Sequence, residues 1–181
     1  ASAWLRRECG WRARARLADG TPAGIAITQD DRFLYANKAT VERSGMSWEE
    51  FSQQVPFEIL SEPAQRAGKE AVEEAIKRGA DQLRFEYQDP DDNAWFEVNG
   101  SLTEIDGREA TIWTSFDITD RKRAESALEA SEQMFRSLTE SVRAMIFIVG
   151  LETPRLIYAN PAAVAGTGYS MAELMADPPP D

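Results

Sequence analysis

Short apolar runs, most of them alternating with polar residues, divide the first two thirds of the chain into strands separated by turns. Five such runs are predicted as strands, over residues 24–29, 32–36, 83–87, 95–105 and 109–118. The acidic pair Asp30-Asp31 separates the first two runs, and Asp106-Gly107, a dipeptide typical of tight hairpins, separates the last two. The spacing therefore predicts antiparallel hairpins at both ends of this region.

Polar capping residues predict three helices between the second and third strands. Asn37 directly follows the second strand and can cap a short helix, and Ser47 and Glu50 form a capping box for another. The longest helix of this region is expected to begin after a Ser61 cap and to end at Gly79. Its predicted apolar stripe consists of Ala64, Ala67, Ala71, Val72, Ala75 and Ile76.

The order of these elements indicates the fold class. Two strands come first, followed by short helices, one longer helix and three antiparallel strands. We therefore predict an α+β domain with a five-stranded antiparallel sheet and helices on one of its faces.

A different pattern begins at Thr119, which we expect to cap a long helix with Asp120 in its first turn. Over residues 119–141 the pattern advances in steps of three and four, as in a coiled coil. The positions of this seam are Arg121, Ala124, Leu128, Ser131, Phe135, Leu138 and Val142. So narrow a stripe favours pairing with the same helix of a second copy in a homodimer, and a single helix lying on its own sheet is the alternative.

An internal repeat links the two ends of the chain. Tyr35-Ala36-Asn37 recurs as Tyr158-Ala159-Asn160, and the capping box recurs at Ser170–Glu173. The second copy is expected to begin near Val142 and to stop at Asp181, before its sheet could be completed. The predicted parts are an amphipathic linker helix over 1–16, a complete domain over 17–118, a linker helix over 119–141 and the truncated start of a second domain over 142–181.

Composition and charge exclude several functions. The 181 residues include 31 acidic and 20 basic side chains, for a formal net charge of −11, and the acidic excess is concentrated in residues 17–119. Such a surface repels a phosphate backbone, so we expect no nucleic-acid binding. The chain has no histidine and a single cysteine, Cys9, which removes histidine-dependent catalysis and multi-cysteine zinc sites. No apolar run approaches the roughly 20 residues that cross a bilayer.

The carboxylates do not form a recognisable catalytic or metal-binding pattern. Asp89, Asp91 and Asn93 are spaced like the start of a calcium loop, but Ala94 stands where that loop requires glycine and Gly100 where it requires glutamate. We therefore predict that this chain is not an enzyme and has no metal site.

Three motifs in a fixed order resemble those of the PAS family. They are Phe33-Leu34-Tyr35-Ala36-Asn37, Gly45-Met46-Ser47-Trp48-Glu49-Glu50 and the PAC-like Asp117-Ile118-Thr119-Asp120-Arg121-Lys122-Arg123. The resemblance covers about residues 17–123, and residues 137–181 are similar to the first third of another copy. It implies a noncatalytic sensory or dimerisation module of a bacterial, cytoplasmic signalling protein, whose histidine kinase or diguanylate cyclase output domain lies outside this chain.

A sheet with helices folded over one face can enclose a ligand pocket. Eight concave-face side chains are our candidates: Thr28, Val41, Phe85, Tyr87, Phe96, Val98, Trp113 and Ser115. Packing of these side chains into a core without a cavity is the alternative. An anionic ligand would meet Arg43, Lys69 or Arg84, if these side chains do not simply face solvent.

The resemblance narrows the range of possible cofactors without identifying one. Relatives that form a flavin–cysteine adduct need a cysteine on the helix after Asn37, and haem-binding relatives usually supply a histidine; this sequence has neither. Noncovalent flavin, a fatty acid, a small carboxylate and no ligand at all remain open.

The joint between the sheet and the long helix is the predicted signal relay, formed by Asp117, Ile118 and Thr119. Asp117 is expected to accept hydrogen bonds or to pair with Arg121 or Lys122. Beyond the joint, the seam residues Ala124, Leu128, Phe135 and Leu138 are expected to contact a second helix.

The outer face of the sheet is predicted to need a cover. Ile112 and Phe116 on the last strand, with Trp95, would otherwise form an exposed apolar patch. A partial apolar stripe within residues 4–16 and a second subunit are the two expected covers.

Overall fold

The computed structural model describes residues 18–151 and 155–176. The strands are β1 (Gly24–Gln29), β2 (Arg32–Ala36), β3 (Gln82–Gln88), β4 (Trp95–Ile105), β5 (Arg108–Asp117), β6 (Phe147–Val149) and β7 (Leu156–Ala159). The helices are α1 (Lys38–Ser44), α2 (Trp48–Phe51), α3 (Glu62–Arg78), α4 (Thr119–Ser141), α5 (Pro161–Thr167) and α6 (Met171–Leu174). The predicted linker helix over 1–16 lies outside the described residues.

Strands β1 to β5 form one sheet in the order β2-β1-β5-β4-β3, and every neighbouring pair is antiparallel. The first and last of these five strands therefore meet at the centre of the sheet, where β1 pairs with β5. This arrangement, with α3 packed against β3, confirms the predicted α+β fold. The chain divides into two compact units, one ending at Lys122 and the other beginning at Arg123.

Both predicted tight turns are present, and both use left-handed backbone conformations. Asp30 and Asp31 have φ angles of 48° and 55°, and Asp106 and Gly107 have 51° and 77°. Positive φ at both central residues matches the right-handed twist of the paired strands, which explains the preference for Asp and Gly at these positions.

Asn37 is fully buried and connects β1 to α1. Its Oδ1 accepts hydrogen bonds from the backbone N–H of Ile25 (2.9 Å) and of Thr40 (3.1 Å), the second of which caps α1. Its Nδ2 donates to the carbonyls of Ala23 (2.8 Å) and Ala18 (2.9 Å). One side chain thus satisfies backbone groups of a strand, a helix end and a loop.

Asn160 repeats this arrangement in the second unit, where it is also fully buried. Its Oδ1 accepts from the N–H of Ile146 and of Ala163, each at 3.0 Å, and its Nδ2 donates to the carbonyls of Ala144 and Thr139, each at 2.9 Å. The sequence repeat is therefore also a repeat of local hydrogen bonding.

Helix α3 departs from its prediction in two ways. Ser61 occupies the N-cap position, but its side chain makes no capping hydrogen bond. Ile76, placed in the predicted apolar stripe, is 74% exposed, whereas Gly68 is buried beneath the rings of Phe57 and Phe85. The packed face is therefore centred on Ala64, Gly68 and Ala75, because the close approach of the two aromatic rings selects the residue without a side chain.

Candidate functional site

A cavity of about 260 Å³ lies between the sheet and the segments that cover it. The five strands β1 to β5 supply one side, and α1, α2 and the segment before α3 supply the other. The lining residues are Gly24, Ala26, Thr28, Phe33, Thr40, Arg43, Ser44, Phe51, Pro56, Phe57, Ile59, Leu60, Ser61, Phe85, Tyr87, Asp89, Val98, Trp113 and Ser115. Its predominantly apolar wall with a few polar groups is typical of small-molecule sites.

Six of the eight candidate pocket residues line this cavity: Thr28, Phe85, Tyr87, Val98, Trp113 and Ser115. Val41 does not, because α1 presents Thr40, Arg43 and Ser44 to the cavity, and residues three and four apart share a helix face. Phe96 is buried outside the lining, with its ring 5.5 Å from that of Tyr87. Whether the six bind a ligand stays a prediction.

The wall formed by β4 and β5 depends on a glycine. A Cβ atom at Gly100 would lie 2.7 Å from Cζ3 of Trp113, so any larger residue would displace the indole ring. The ring is also fixed at its nitrogen, because Trp113 Nε1 donates a 2.9 Å hydrogen bond to Thr28 Oγ1. Together these contacts hold a large aromatic surface against the cavity.

Three polar groups at the cavity are available to a ligand: the Arg43 guanidinium, the Ser61 hydroxyl and the Tyr87 hydroxyl. Within the described part of the chain, Arg43 has no acidic partner at ion-pair distance, and its guanidinium lies 4.3 Å from the ring centroid of Phe96. Ser61 Oγ is buried without a hydrogen-bond partner. Burial, reinforced by the negative charge of Asp89, raises the pKa of Tyr87 to about 12, so its hydroxyl is neutral and can donate.

The other two candidate anion-binding cations are placed differently. Lys69 is exposed on α3 and does not line the cavity. Arg84 is exposed at the sheet edge and pairs with Glu97 at 2.5 Å. Of the three basic residues singled out in the sequence, Arg43 alone lines the cavity.

The predicted relay residues lie where β5 passes into α4. Ile118 is buried, and its N–H donates to the carbonyl of Trp95 at 2.8 Å. Thr119 is the first residue of α4 and not its cap. Its hydroxyl accepts a hydrogen bond from the N–H of Trp95 at 2.9 Å. Asp117 Oδ1 accepts the N–H of Thr119 at 2.9 Å, so it satisfies one of the free donors at the start of the helix.

Arg121 and Lys122 in the first turn of α4 both bind Glu86 on β3, at 3.0 and 2.7 Å. Arg121 also lies 3.2 Å from Glu97 on β4. Hydrogen bonds from Lys122 and then Arg121 lower the pKa of Glu86 to about 2. Sequence reasoning missed Glu86, and the only signal for it was its outward position between Phe85 and Tyr87 on an alternating strand.

The outer face of the sheet and the seam of α4 keep exposed apolar groups. Ile112 and Phe116 are exposed, and Lys122 Nζ lies 5.0 Å above the ring of Trp95. The stripe predicted within 4–16 falls outside the described residues. In the seam, Leu128 and Leu138 are 62% and 61% exposed.

The C-terminal part of α4 packs within the second unit. The ring of Phe135 lies 5.4 Å from that of Tyr158 in an edge-on arrangement, and Thr139 Oγ1 is 2.7 Å from the Tyr158 hydroxyl. Phe135 is thus shared between the predicted seam and contacts with β7. Ala124, the smallest of the predicted seam residues, is exposed.

In residues 18–151 and 155–176, His, Cys, Asp and Glu side chains do not gather into groups of three or more able to hold a metal ion. No helix of these same ranges has the length and hydropathy needed to span a membrane.

The fold is an α+β domain in which one antiparallel sheet and its helices enclose a cavity, and a family comparison agrees with this architecture. A model described as a PAS fold matches residues 18–123, more than half of the chain, and one described as a PAS domain matches residues 133–180. The chain therefore belongs to the PAS family. No curated protein matches it.

Solved structures similar to this chain are distant from it in sequence. An RNA-binding light-oxygen-voltage receptor is 19% identical with a TM-score of 0.52, over 74% of this chain and only 38% of the receptor. The PAS domain of a Colwellia psychrerythraea protein is 19% identical with a TM-score of 0.48, over 61% and 98% of the two chains. That of nitrogen regulation protein NR(II) from Vibrio parahaemolyticus is 13% identical with a TM-score of 0.44, over 58% and 97%.

Proposed function

We propose that this chain is a noncatalytic sensory and dimerisation module of a cytoplasmic bacterial signalling protein. A small molecule in the cavity alters the packing of the sheet, and α4 carries that change to a histidine kinase or diguanylate cyclase output domain outside this chain. The observation that carries the proposal is that one strand, β3, faces the cavity on one side and holds the base of α4 on the other.

The alternation of β3 makes this coupling direct. Phe85 and Tyr87 line the cavity, and Glu86 between them points to the opposite face, where it binds Arg121 and Lys122. A ligand that moves the two aromatic side chains therefore also moves the carboxylate to which the first turn of α4 is attached. A ligand shifts a conformational equilibrium only if it binds one conformation more tightly than the other. The contact of Glu86 with α4 is where a ligand-induced change in the sheet would reach the helix.

The hydrogen bonds at the joint between β5 and α4 support a helix that moves together with the sheet. Trp95 exchanges hydrogen bonds with Ile118 and Thr119, and Asp117 holds the N–H of Thr119. The two bonds with Trp95 attach Ile118 and Thr119 to the start of β4, and the bond to Asp117 closes the turn between β5 and α4. The exposed seam residues Leu128 and Leu138 then provide an apolar surface for a second copy of α4.

A ligand-free dimerisation scaffold is the runner-up, and the cavity favours a sensor over it. A space of about 260 Å³ lies just below the roughly 300–1,000 Å³ typical of sites for drug-sized ligands, and it exceeds the ~150 Å³ cavity that holds benzene. A compact ligand therefore fits the cavity without rearrangement of its walls. Noncovalent flavin is the bulkier alternative.

Native mass spectrometry of the purified full chain tests the proposal. We expect a reproducible bound mass that is lost in Val98→Phe, which fills the cavity, and retained in Asn99→Phe, its neighbour on the opposite face of β4. Repeated absence of any bound mass in the parent chain would favour the scaffold instead. Hydrogen exchange of residues 119–141 should change on ligand removal; an unchanged pattern would contradict the relay.

A further inference from the structure

The cavity has a polar end, and that end indicates the chemical class of the ligand. We propose that the cavity selects compact apolar carboxylates, with the carboxylate held by Arg43 and the apolar body enclosed by the aromatic wall. This inference rests on the proposed sensory function, because it assigns a ligand class to the same cavity.

The guanidinium of Arg43 is held in a position where it can bind an anion. It lies 4.3 Å from the centroid of Phe96, and stacking of this kind fixes the plane of the group while its N–H edges stay free. Among the described residues no carboxylate meets it at ion-pair distance. Arg43 is also exposed, so it marks a solvent-accessible end of the cavity, where a carboxylate can keep part of its hydration.

Two hydroxyl groups lie toward the same end. Tyr87 lines the cavity together with Arg43 and Asp89, and its ring lies 5.5 Å from that of Phe96, the ring over which Arg43 lies. Tyr87 stays protonated and can donate a hydrogen bond, because its pKa is about 12. Its hydroxyl is therefore a neutral donor in the part of the lining that includes Arg43.

Ser61 is brought toward Tyr87 by the packing of α3 on β3. The two elements are joined by a short turn and run in opposite directions, and Gly68 on α3 lies against the ring of Phe85 on β3. From that contact, Tyr87 is roughly 7 Å along the strand and Ser61 roughly 10 Å along the helix in the same direction. The partnerless Ser61 Oγ therefore lies toward the polar end, where a ligand oxygen would satisfy a hydroxyl that is costly to leave buried without a partner.

Asp89 is the one acidic side chain of the lining, and it opposes an anion. Its Oδ1 already accepts the N–H of Asp91 at 3.0 Å, which commits the carboxylate to the turn between β3 and β4. A ligand with both a carboxylate and an ammonium group, such as an apolar amino acid, would instead use Arg43 and Asp89 together. This alternative is separated by the experiment below.

The rest of the cavity sets the size and shape of the apolar body. Aromatic rings from five different segments surround the space, and they favour stacked or edge-on contact with a further ring. These side chains are Phe33, Phe51, Phe57, Phe85 and Trp113. The volume of about 260 Å³ suits one aromatic ring or a branched alkyl group bearing a single carboxylate.

The test compares phenylacetate with phenylacetamide, which has nearly the same shape and no charge, in titrations of the full 181-residue chain. The indole N–H signal of Trp113, assigned with Trp113→Phe, reports occupancy. We expect phenylacetate to bind at least ~10-fold more tightly, as a charge-assisted hydrogen bond implies. Arg43→Gln should abolish this preference, and Lys69→Gln, which removes an exposed cation outside the cavity, should retain it.

Several results would overturn the assignment. Equal affinity for the two probes would refute a carboxylate site while leaving the small-molecule function intact. Stronger binding of phenylalanine than of phenylacetate, lost in Asp89→Asn, would assign the site to amino acids instead. Binding of neither probe at millimolar concentration would also refute the assignment, and only a parallel absence of bound mass would refute the proposed function. If Arg43→Gln fails to fold, Arg43→Lys should show a reduced preference.

Discussion

Single buried polar side chains organise each unit of this chain. Asn37 and Asn160 are the two fully buried side chains of large volume among the described residues, and each satisfies at least four backbone groups. An amide suits this role because it offers an acceptor and two donors in a fixed plane. An apolar side chain of similar size would leave the same backbone groups buried and unpaired.

Replacing Asn37 by alanine should therefore destabilise the first unit strongly. The substitution leaves the N–H of Ile25 and the carbonyl of Ala23 without partners, so we expect a loss of about 2–4 kcal/mol in the free energy of unfolding. Urea unfolding followed by the far-ultraviolet circular dichroism of the β-sheet measures this change in free energy. Asn99→Ala on β4 is the matched control, with an expected loss below about 1 kcal/mol. Equal midpoints for the two variants would contradict the role given to Asn37.

Sequence patterns predicted the short-range hydrogen bonds of these polar residues better than their long-range ones. The cap of α1 by Asn37 and the capping box of Ser47 and Glu50 follow from the sequence because both ends of each bond lie within four residues. The hydrogen bond from Asn37 to the carbonyl of Ala23 spans 14 residues, and a periodic sequence pattern does not predict a contact at that separation. Glu86 was missed for the same reason, since its partners on α4 are 35 and 36 positions away.

At the scale of elements, strands were predicted more accurately than helix faces. The bounds of β1, β2 and β4 agree with the prediction, and β5 is displaced by one residue. A two-residue period with a tight turn fixes both register and face, so little freedom remains. The face of α3 was less certain, because small residues occur all around that helix and aromatic rings from elsewhere decide which side is packed.

The charged cluster at the base of α4 should make its anchorage sensitive to acid. Unfolded Glu86 takes up a proton near its ordinary pKa of 4.5, while the folded form stays ionised until about 2. Between these values the unfolded state binds more protons, so the stability that Glu86 contributes is present above pH 4.5 and lost as the pH falls toward 2. Partly exposed pairs of this kind contribute about 1 kcal/mol or less.

Glu86→Gln should remove that part of the pH dependence. We expect the urea midpoints of parent and variant to differ at pH 6 and to converge as the pH falls from about 4.5 toward 2. Glu104→Gln, an exposed position on β4, serves as the control and should follow the parent throughout. A constant difference between parent and Glu86→Gln across this range would show that the carboxylate acts through packing rather than charge.

Asp117→Ala tests the joint between β5 and α4. The variant loses the acceptor for the Thr119 N–H, while the bonds between Trp95 and Ile118 remain. We expect faster hydrogen exchange in the first two turns of α4, with the protection of β1 and β5 unchanged. Equal protection of the helix in variant and parent would remove the relay role assigned to Asp117.

At the scale of the whole molecule, the sequence predicted the concave wall of the cavity better than its cover. Six strand residues of the lining were among the candidates because they alternate on known strands. Phe57, Ile59 and Leu60 were not, since they lie in an irregular segment between α2 and α3 that has no period. The cavity volume depends on how that segment lies over the sheet, which is a property of tertiary packing.

Association through α4 is the remaining prediction at this scale. Leu128 and Leu138 are both more than 60% exposed and lie in the narrow seam, so they are the side chains that a second helix would cover. Phe135 is a poorer probe, because its ring also packs against Tyr158 and its loss would disturb the second unit. The informative variant therefore changes the two leucines alone.

The double variant Leu128→Glu/Leu138→Glu should weaken self-association by at least about a hundredfold. Each pair of chains loses four apolar contacts of roughly 1.5 kcal/mol or more apiece and gains like charges across the seam. Sedimentation equilibrium over a range of concentrations measures the dissociation constant. Ile76→Glu is the matched control, because Ile76 is 74% exposed on α3 and lies outside the seam, so its substitution should leave association unchanged. Identical sedimentation of parent and double variant would mean that α4 is not the contact through which two copies pair.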